Sequence, residues 1–172
     1  MFSVIFPGQG SQMVGMGKEF YDKFDIVKNL FREADNELGA PLSKIILEGT
    51  KEKLDLTANT QPAIFLISYS IFQVVKKEFN IDLNQAKYFA GHSLGEYSAL
   101  VSSNSLKFED GLKLVHLRGK FMQEAVPLGK GSMLAVMGLS IDELNHFLNK
   151  MDKKEGVCEI ANDNSNSQII LS

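Results

Sequence analysis

The sequence is nearly free of cysteine, with Cys158 the only one among 172 residues. A single thiol can form neither an internal disulfide nor a cysteine-based metal site, so both are excluded. Cys158 lies in an apolar, strand-like segment, 156–161, where we expect it to be a small buried hydrophobic side chain. The sequence indicates no other metal site and no bound cofactor.

The chain also lacks an excess of positive charge. Its 18 Lys and Arg residues are set against 21 Asp and Glu residues, which gives a formal net charge of −3. A nucleic-acid-binding domain would carry a basic patch, and the nearest cluster, 150–154, is interrupted and typical of a solvated helix end. We therefore expect no nucleic acid among the partners.

Long hydrophobic runs are absent as well. The longest apolar stretch, 62–75, is broken by Ser68, Ser70 and Gln73 and is too short to span a bilayer. The N-terminus has no basic segment followed by an apolar one, so no signal peptide is evident. We expect a soluble cytoplasmic protein without membrane contact, and the 44% of hydrophobic residues suffices for a globular core.

The most informative feature that is present is the G-x-S-x-G pentapeptide at 91–95, GHSLG. The residues before it have the character of a short buried strand, and those after it read as a helix. Such a turn holds its serine exposed, so we expect Ser93 to be a nucleophile. The Leu94 N–H, at the helix N-terminus, is then aimed at an oxyanion. A glycine-bounded turn with a capping serine is the alternative.

The order of predicted elements changes near residue 127. Up to that point, strands alternate with helices as in an α/β domain with a parallel sheet. Beyond it the order is βαββ, the first two-thirds of a ferredoxin-like unit, so we expect domains at 1–127 and 128–172. The predicted strands are 2–6 (buried), 87–90, 133–138, 157–161 and 168–171. The predicted helices are 20–38 ended by Gly39, 60–79 with Pro62 in its first turn, 108–125, and 140–151 with a capping box, and a polar loop is predicted at 162–167.

A glycine-rich loop follows the first strand at 7–12, PGQGSQ. It lacks the third glycine of a dinucleotide-binding loop and the lysine of a P-loop, which argues against a nucleotide site. A loop at the carboxyl end of a parallel strand can instead offer a backbone amide to a site there. Gln9 is therefore a candidate second oxyanion donor, although an ordinary strand-to-helix turn fits the spacing equally well.

Arg118 stands out on the helix predicted at 108–125. The apolar residues of this helix cover one broad face, and Arg118 is the charged residue that falls inside it. Burying a guanidinium without a partner costs on the order of several kcal/mol. A structural ion pair with a nearby carboxylate is one explanation. A bidentate site for a substrate carboxylate is the other.

A serine nucleophile needs a base, and the three histidines offer no convincing one. His92 adjoins Ser93 and should point away from it, so we expect a packing or hydrogen-bonding role. His116 lies on the polar face of its helix and His146 lies in the second domain, and we expect both to be exposed. The sequence thus supplies a nucleophile and an anion-binding arginine without a proton acceptor.

Four segments occur in the order and approximate spacing of malonyl-CoA:acyl carrier protein transacylases. They are GQGSQ at 8–12, QPA at 61–63, GHSLGE at 91–96 and RGK at 118–120. FMQ at 121–123 and NDNS at 162–165 also look similar. The sequence resembles that family over its whole length, and four ordered motifs are far more specific than one G-x-S-x-G.

The resemblance implies an α/β-hydrolase-like, parallel-sheet large domain with an inserted ferredoxin-like small domain. It also implies an acyl-carrier-protein S-malonyltransferase of fatty acid biosynthesis. In that family Ser93 would carry the malonyl group, Gln9 and Leu94 would give the oxyanion amides, and Arg118 would hold the malonyl carboxylate. Malonyl would pass from malonyl-CoA, a substrate rather than a cofactor, to Ser93 and then to the phosphopantetheine thiol of acyl carrier protein.

The length departs from the family pattern. In the family the small domain is completed and the large domain then resumes with the catalytic histidine, and all of this would lie beyond Ser172. We therefore expect both domains to be incomplete, the complete protein to be a monomeric transacylase, and this chain alone to be inactive or unstable. His92 and Asn162 are the supporting positions that the resemblance adds.

Three other interpretations remain open. A serine esterase or thioesterase of the α/β-hydrolase type shares the elbow, but it does not explain Arg118 and usually has an HGGG-type loop that is absent here. An inactive fragment could act as an interaction half completed by another chain. An acyltransferase domain of a polyketide or multifunctional fatty acid synthase is the third, although the start at Met1 favours a stand-alone enzyme.

Overall fold

The computed structural model describes residues 1–79, 81–127, 129–151 and 156–172. These residues form two compact units, Met1–Ala125 and Val126–Ser172. Within the described ranges, no helix is both long enough and apolar enough to cross a membrane. The elements of the first unit are β1 (Ser3–Phe6), α1 (Lys18–Lys23), α2 (Asp25–Leu38), α3 (Leu42–Glu48), α4 (Lys51–Asp55), α5 (Thr57–Glu78), β2 (Tyr88–Gly91), α6 (Gly95–Ser102) and α7 (Phe108–Ala125). Those of the second are β3 (Leu134–Met137), α8 (Ile141–Leu148), β4 (Ile160–Ser165) and β5 (Gln168–Leu171).

Strands β1 and β2 pair in parallel, with Phe6 opposite Gly91. Because the strands are parallel, the loop after β1 and the turn after β2 leave the sheet at the same edge. The expectation of a buried first strand is wrong for most of β1, since Ile5 is 76% exposed and only Phe6, at 4%, is buried. Phe6 packs against the ring of Phe72, whereas the described residues leave the face that carries Ile5 uncovered.

The core of the first unit is built around α5, which contacts α2, α3, α4, α6 and α7. Residues 63–66 are buried one after another, so this helix is covered on more than one side, as its apolar sequence predicts. The Phe65 ring stacks on Phe108 of α7 at a centroid distance of 5.6 Å. Packing of α7 against α5 is therefore the contact that fixes where the residues of α7 point.

The helix predicted at 20–38 is two helices. Phe24 has an extended backbone, with φ −118° and ψ 120°, which ends α1 and lets α2 begin at Asp25. The Phe24 side chain packs against the core, so tertiary packing overrides the continuous helical pattern. Gly39 ends α2 in the left-handed region at φ 59°, as predicted.

Helix α5 begins at Thr57, three residues before the predicted start, so Pro62 lies inside the helix and not in its first turn. Proline has no N–H, and the Ala58 carbonyl four residues earlier therefore loses its helical donor. The Nδ1 atom of His116, on α7, lies 3.1 Å from that carbonyl oxygen. A second helix thus supplies the hydrogen bond that Pro62 cannot make.

The second unit is a three-stranded antiparallel sheet in the order β3-β5-β4. Ser140 and Glu143 form the predicted capping box at the start of α8, which ends at Leu148. The apolar side of the sheet packs on α8 through Leu144, Ile169 and Leu171. Cys158 is half-buried beside this cluster, less covered than expected, because it precedes β4 and is not part of a strand.

The loop predicted at 162–167 is mostly strand. Strand β4 spans Ile160–Ser165, and Asn162 lies opposite Ile170 of β5. Within the described sheet, β4 pairs only with β5, so most of its polar side chains face solvent while its backbone keeps the ladder. Polar composition therefore marks an edge strand here, with two register shifts along its length.

Candidate active site

Ser93 lies at the tip of a sharp turn between β2 and α6. Its φ is 55°, in the left-handed region that a serine adopts only under strain. A Cβ on Gly91 would overlap the Gly95 carbonyl, and a Cβ on Gly95 would lie 2.5 Å from the Phe6 carbonyl oxygen. Both glycines are thus required for the turn, which is the geometry of a nucleophile elbow.

The Leu94 amide sits immediately after the serine, at the first turn of α6. Leu94 is fully buried. Within the described ranges, no carbonyl or side chain accepts a hydrogen bond from its N–H. A buried backbone donor without a partner is rare in proteins, and at a helix N-terminus it is suited to an anionic oxygen.

The loop that carries Gln9 lies against the elbow. A Cβ on Gly8 would be 2.6 Å from Nδ1 and 2.8 Å from the carbonyl oxygen of His92, so only glycine allows this approach. The loop is held by the Gln12 side chain, whose Nε2 donates to Asp55 at 2.9 Å and whose Oε1 accepts from the Gly10 N–H at 2.9 Å. Gln9 itself is exposed in the turn.

Arg118 reaches the serine of the elbow directly. Its Nη2 donates to Ser93 Oγ at 2.9 Å, and its Nη1 donates to Gln61 Oε1 at 2.7 Å. No carboxylate in the described part of the chain forms an ion pair with Arg118. The structural ion pair that the sequence left open is therefore not formed there, and the half-buried guanidinium meets two neutral oxygens.

Gln61 is a site residue that sequence reasoning missed. It is fully buried on α5, and while its Oε1 accepts from Arg118 its Nε2 donates to the Met122 sulfur at 3.0 Å. Both ends of the amide are thus used, which fixes its orientation. The available signal was the QPA motif at 61–63, which places Gln61 directly before the apolar run that begins at Pro62.

Gly119 allows α7 to lie close to α5 at this point. A Cβ on Gly119 would be 2.5 Å from the Thr57 carbonyl oxygen and 2.8 Å from Ala58 Cα, and neither backbone atom can move aside easily. The next turn of α7 adds a bond from the Thr57 N–H to Gln123 at 3.4 Å. This close packing holds Arg118 within reach of Gln61 and Ser93.

His92 is exposed and faces Gly8, and Asn162 lies on β4 of the second unit. His116 is half-buried, not exposed as expected, because the Ala58 carbonyl accepts its Nδ1–H. His146 is exposed on α8 and its ring contacts Phe147. Within the described residues, His116 makes no hydrogen bond to Ser93.

Residues 3–170 match the acyl transferase domain family. The chain belongs to that family. The resemblance noted in the sequence is confirmed by the individual relatives. The chain is 44% identical over 168 residues to the malonyl CoA-acyl carrier protein transacylase of Bacillus subtilis (strain 168), covering 98% of this chain and 52% of that protein. It is 40% identical over 172 residues to the enzyme of the same name from Escherichia coli (strain K12), covering 99% and 54%.

Solved structures agree with this acyl transferase assignment. The acyl-carrier-protein-S-malonyltransferase of Bartonella henselae superposes with a TM-score of 0.89 at 40% identity, covering 99% of this chain and 55% of that one. A malonyl-transacylase in complex with a type II polyketide synthase acyl-carrier protein gives 0.87 at 37% identity, covering 99% and 54%. The expected mixed α/β fold class with a parallel sheet is confirmed. The chain spans about half the length of the relatives it matches.

Proposed function

We propose that this chain carries the nucleophile half of a malonyl-CoA:acyl carrier protein transacylase. The observation that carries the proposal is the guanidinium of Arg118 on Ser93 Oγ, with Gln61 as its second partner and no carboxylate paired to it in the described part of the chain. A malonyl group differs from other small acyl groups by its free carboxylate, and a guanidinium is the side chain best suited to bind one.

The reaction would proceed in two transfers through Ser93. In the first, Ser93 Oγ attacks the thioester carbonyl of malonyl-CoA, the C–S bond breaks, and the serine proton ends on the released thiol. In the second, the phosphopantetheine thiol of acyl carrier protein attacks the carbonyl of the malonyl ester, a C–S bond forms, the bond from that carbonyl to Ser93 Oγ breaks, and the thiol proton ends on Ser93 Oγ. The base that takes these protons is proposed to lie in the part of the relatives that this chain does not span.

The oxyanion that forms in both transfers is proposed to bind the Leu94 and Gln9 amides. The buried Leu94 N–H, which has no acceptor among the described residues, supports the first assignment. The contact of Gly8 with His92 supports the second, because it places the Gln9 loop at the elbow. His92 would hold that loop. Asn162 is kept as a supporting residue on the family resemblance alone.

The remaining proposals concern the whole protein. We assign 1–127 to the large domain and 128–172 to the small domain, which lies close to the division between the two compact units. Acyl carrier protein as partner is supported by the relative whose structure holds one. Malonyl-CoA as donor, a monomeric enzyme and a cytoplasmic location complete the proposal.

The proposal is tested with the full-length protein, malonyl-CoA and acetyl-CoA at equal concentrations, and intact-mass spectrometry. We expect one malonyl group on Ser93 and its transfer to holo-acyl carrier protein. Equal labelling by both donors would contradict the role of Arg118. Rapid release of free malonate without transfer to the carrier protein would instead favour the esterase, which gives no reason for an arginine on the nucleophile.

A further inference from the structure

The hydrogen bond between His116 and the Ala58 carbonyl replaces the backbone hydrogen bond that Pro62 removes from α5. The Ala58 carbonyl lacks its helical donor because Pro62 has no N–H, and His116 Nδ1 lies 3.1 Å from its oxygen. A carbonyl oxygen only accepts, so the Nδ1 atom of His116 must carry the proton. Because Nδ1 carries a proton, this nitrogen cannot act as a base.

This bond lies at the level of the acyl site. Pro62 directly follows Gln61, the partner of Arg118, and His116 precedes Arg118 by two residues on α7. The His116–Ala58 and Arg118–Gln61 hydrogen bonds therefore join the same turn of α5 to the same turn of α7. A shift of either helix that broke the first contact would also move the second.

Packing around this point leaves little freedom to compensate. The Gly119 backbone already lies against Thr57 and Ala58, so α7 cannot move closer to α5. If the His116 donor were removed, the Ala58 carbonyl would lose the hydrogen bond that replaces the missing Pro62 donor, and we expect the first turns of α5 to rearrange so that water reaches it. Gln61 would move with them.

We propose that His116 is a positioning residue of the acyl site. Its Nδ1–H fixes the register of α5 on α7, which keeps Gln61 Oε1 on the guanidinium of Arg118 and the guanidinium on Ser93. His116 does not touch the substrate in this role. The inference rests on the proposed malonyl transfer.

Two substitutions in the full-length protein separate this role from general packing. In His116→Asn, the side-chain amide nitrogen takes the place of the ring Nδ1–H, whereas His116→Ala removes the donor. We expect His116→Ala to raise the KM for malonyl-CoA about tenfold with a smaller change in kcat, because the loss is in carboxylate binding. We expect His116→Asn to stay within about threefold of the wild type, and Glu124→Ala, exposed on the same helix, to be unchanged.

The tautomer gives a readout that does not depend on activity or on the folding of a variant. Nitrogen-15 NMR of the wild-type protein should show His116 protonated at Nδ1. A bare Nδ1, an unchanged KM in a folded His116→Ala protein, or a KM in His116→Asn as high as in His116→Ala would each overturn the inference. A wild-type protein that transfers no malonyl would overturn the proposed function, and the inference with it. Normal transfer together with an unaffected His116→Ala variant overturns the inference alone.

Discussion

Arg118 Nη2 donates to Ser93 Oγ at 2.9 Å, so the guanidinium and the serine hydroxyl of the elbow are direct neighbours. An acyl group esterified to Ser93 that carries a carboxylate on the carbon next to its carbonyl would bring that carboxylate onto the same guanidinium. An acetyl group on Ser93 would leave the guanidinium without an anionic partner. Acyl selectivity should therefore depend on this one contact more than on the shape of a pocket.

Replacing Arg118 should test that relationship directly. Lysine keeps the charge but loses the planar fork that also engages Gln61, so we expect Arg118→Lys to lower kcat/KM for malonyl-CoA by about 10- to 100-fold. Arg118→Ala should abolish the preference for malonyl over acetyl groups in a competition experiment read by intact mass. Retained malonyl preference in Arg118→Ala would show that another group binds the carboxylate.

Gln61→Glu should place a carboxylate of the protein itself on the Arg118 guanidinium, where it would form an ion pair. The substitution is nearly isosteric and places a carboxylate where the Gln61 amide oxygen now accepts from Arg118 at 2.7 Å. The internal ion pair should compete with the malonyl carboxylate and raise the KM for malonyl-CoA by about tenfold or more. Steady-state kinetics with malonyl-CoA check the effect.

Gln61→Leu is the matched control for that substitution, because it removes the oxygen without adding charge. It should weaken malonyl binding less than Gln61→Glu, since Arg118 stays free to bind the substrate. Equal KM values for the two variants would mean that Gln61 orients Arg118 and that charge competition plays no part.

Gly119→Ala should damage both stability and selectivity. The new methyl group would meet the Thr57 carbonyl oxygen at 2.5 Å, so α7 must move away from α5, at a cost of about 2 kcal/mol. Arg118 moves with it, and the preference for malonyl-CoA should fall. Urea denaturation and the competition assay measure the two effects separately.

Gly111→Ala provides the comparison on the same helix. Its methyl group would press on the side chains of Val101 at 2.8 Å and Phe65 at 2.9 Å, two turns away from Arg118. We expect a similar loss of stability with unchanged acyl selectivity. A selectivity change as large as that of Gly119→Ala would show that any disturbance of α7 packing reaches the site.

Ser93→Gly and Ser93→Ala should both be inactive but differ in stability. Ser93 has a φ of 55°, which glycine adopts without strain and alanine does not. We expect the glycine variant to be more stable than the alanine variant by about 1 kcal/mol in urea denaturation. Equal stabilities would mean that the elbow relaxes to a negative φ once the hydroxyl is lost.

The elbow and Arg118 could be predicted because their signals are local. Residues 91–95 contain both glycines and the serine, and helical periodicity over 108–125 is enough to place Arg118 inside an apolar face. Gln61 and His116 could not be identified in this way. Their roles depend on the packing of α7 on α5 and on Pro62 lying inside a helix that begins at Thr57, and a helix start is uncertain by a few residues from sequence.

Two further differences between the predicted and the observed elements also follow from tertiary contacts. The break at Phe24 follows from a side chain drawn into the core, and the strand at Ile160–Ser165 follows from pairing with β5 across a tight turn. Neither is visible in local propensity, because Phe24 fits the helical pattern and the polar residues of β4 fit a loop. The helix break at Phe24 and strand β4 are therefore set by tertiary contacts and not by local sequence preference.

Glu33 should make stability depend on pH. Burial raises the pKa of its carboxyl group, and repulsion from Glu109 and a hydrogen bond to it raise that pKa further. Because the pKa is higher in the folded than in the unfolded protein, the folded state holds the proton to higher pH, and stability is lost as the pH rises from the usual glutamate range through the folded-state pKa. Glu33→Gln should remove this loss, so the variant should gain stability over the wild type at pH 7 and differ little at pH 4.

Urea denaturation at both pH values measures the difference, with Glu48→Gln, exposed on α3, as the control. A gain of the same size at pH 4 and pH 7 would show that the glutamine stabilises the fold through packing and not through the missing charge.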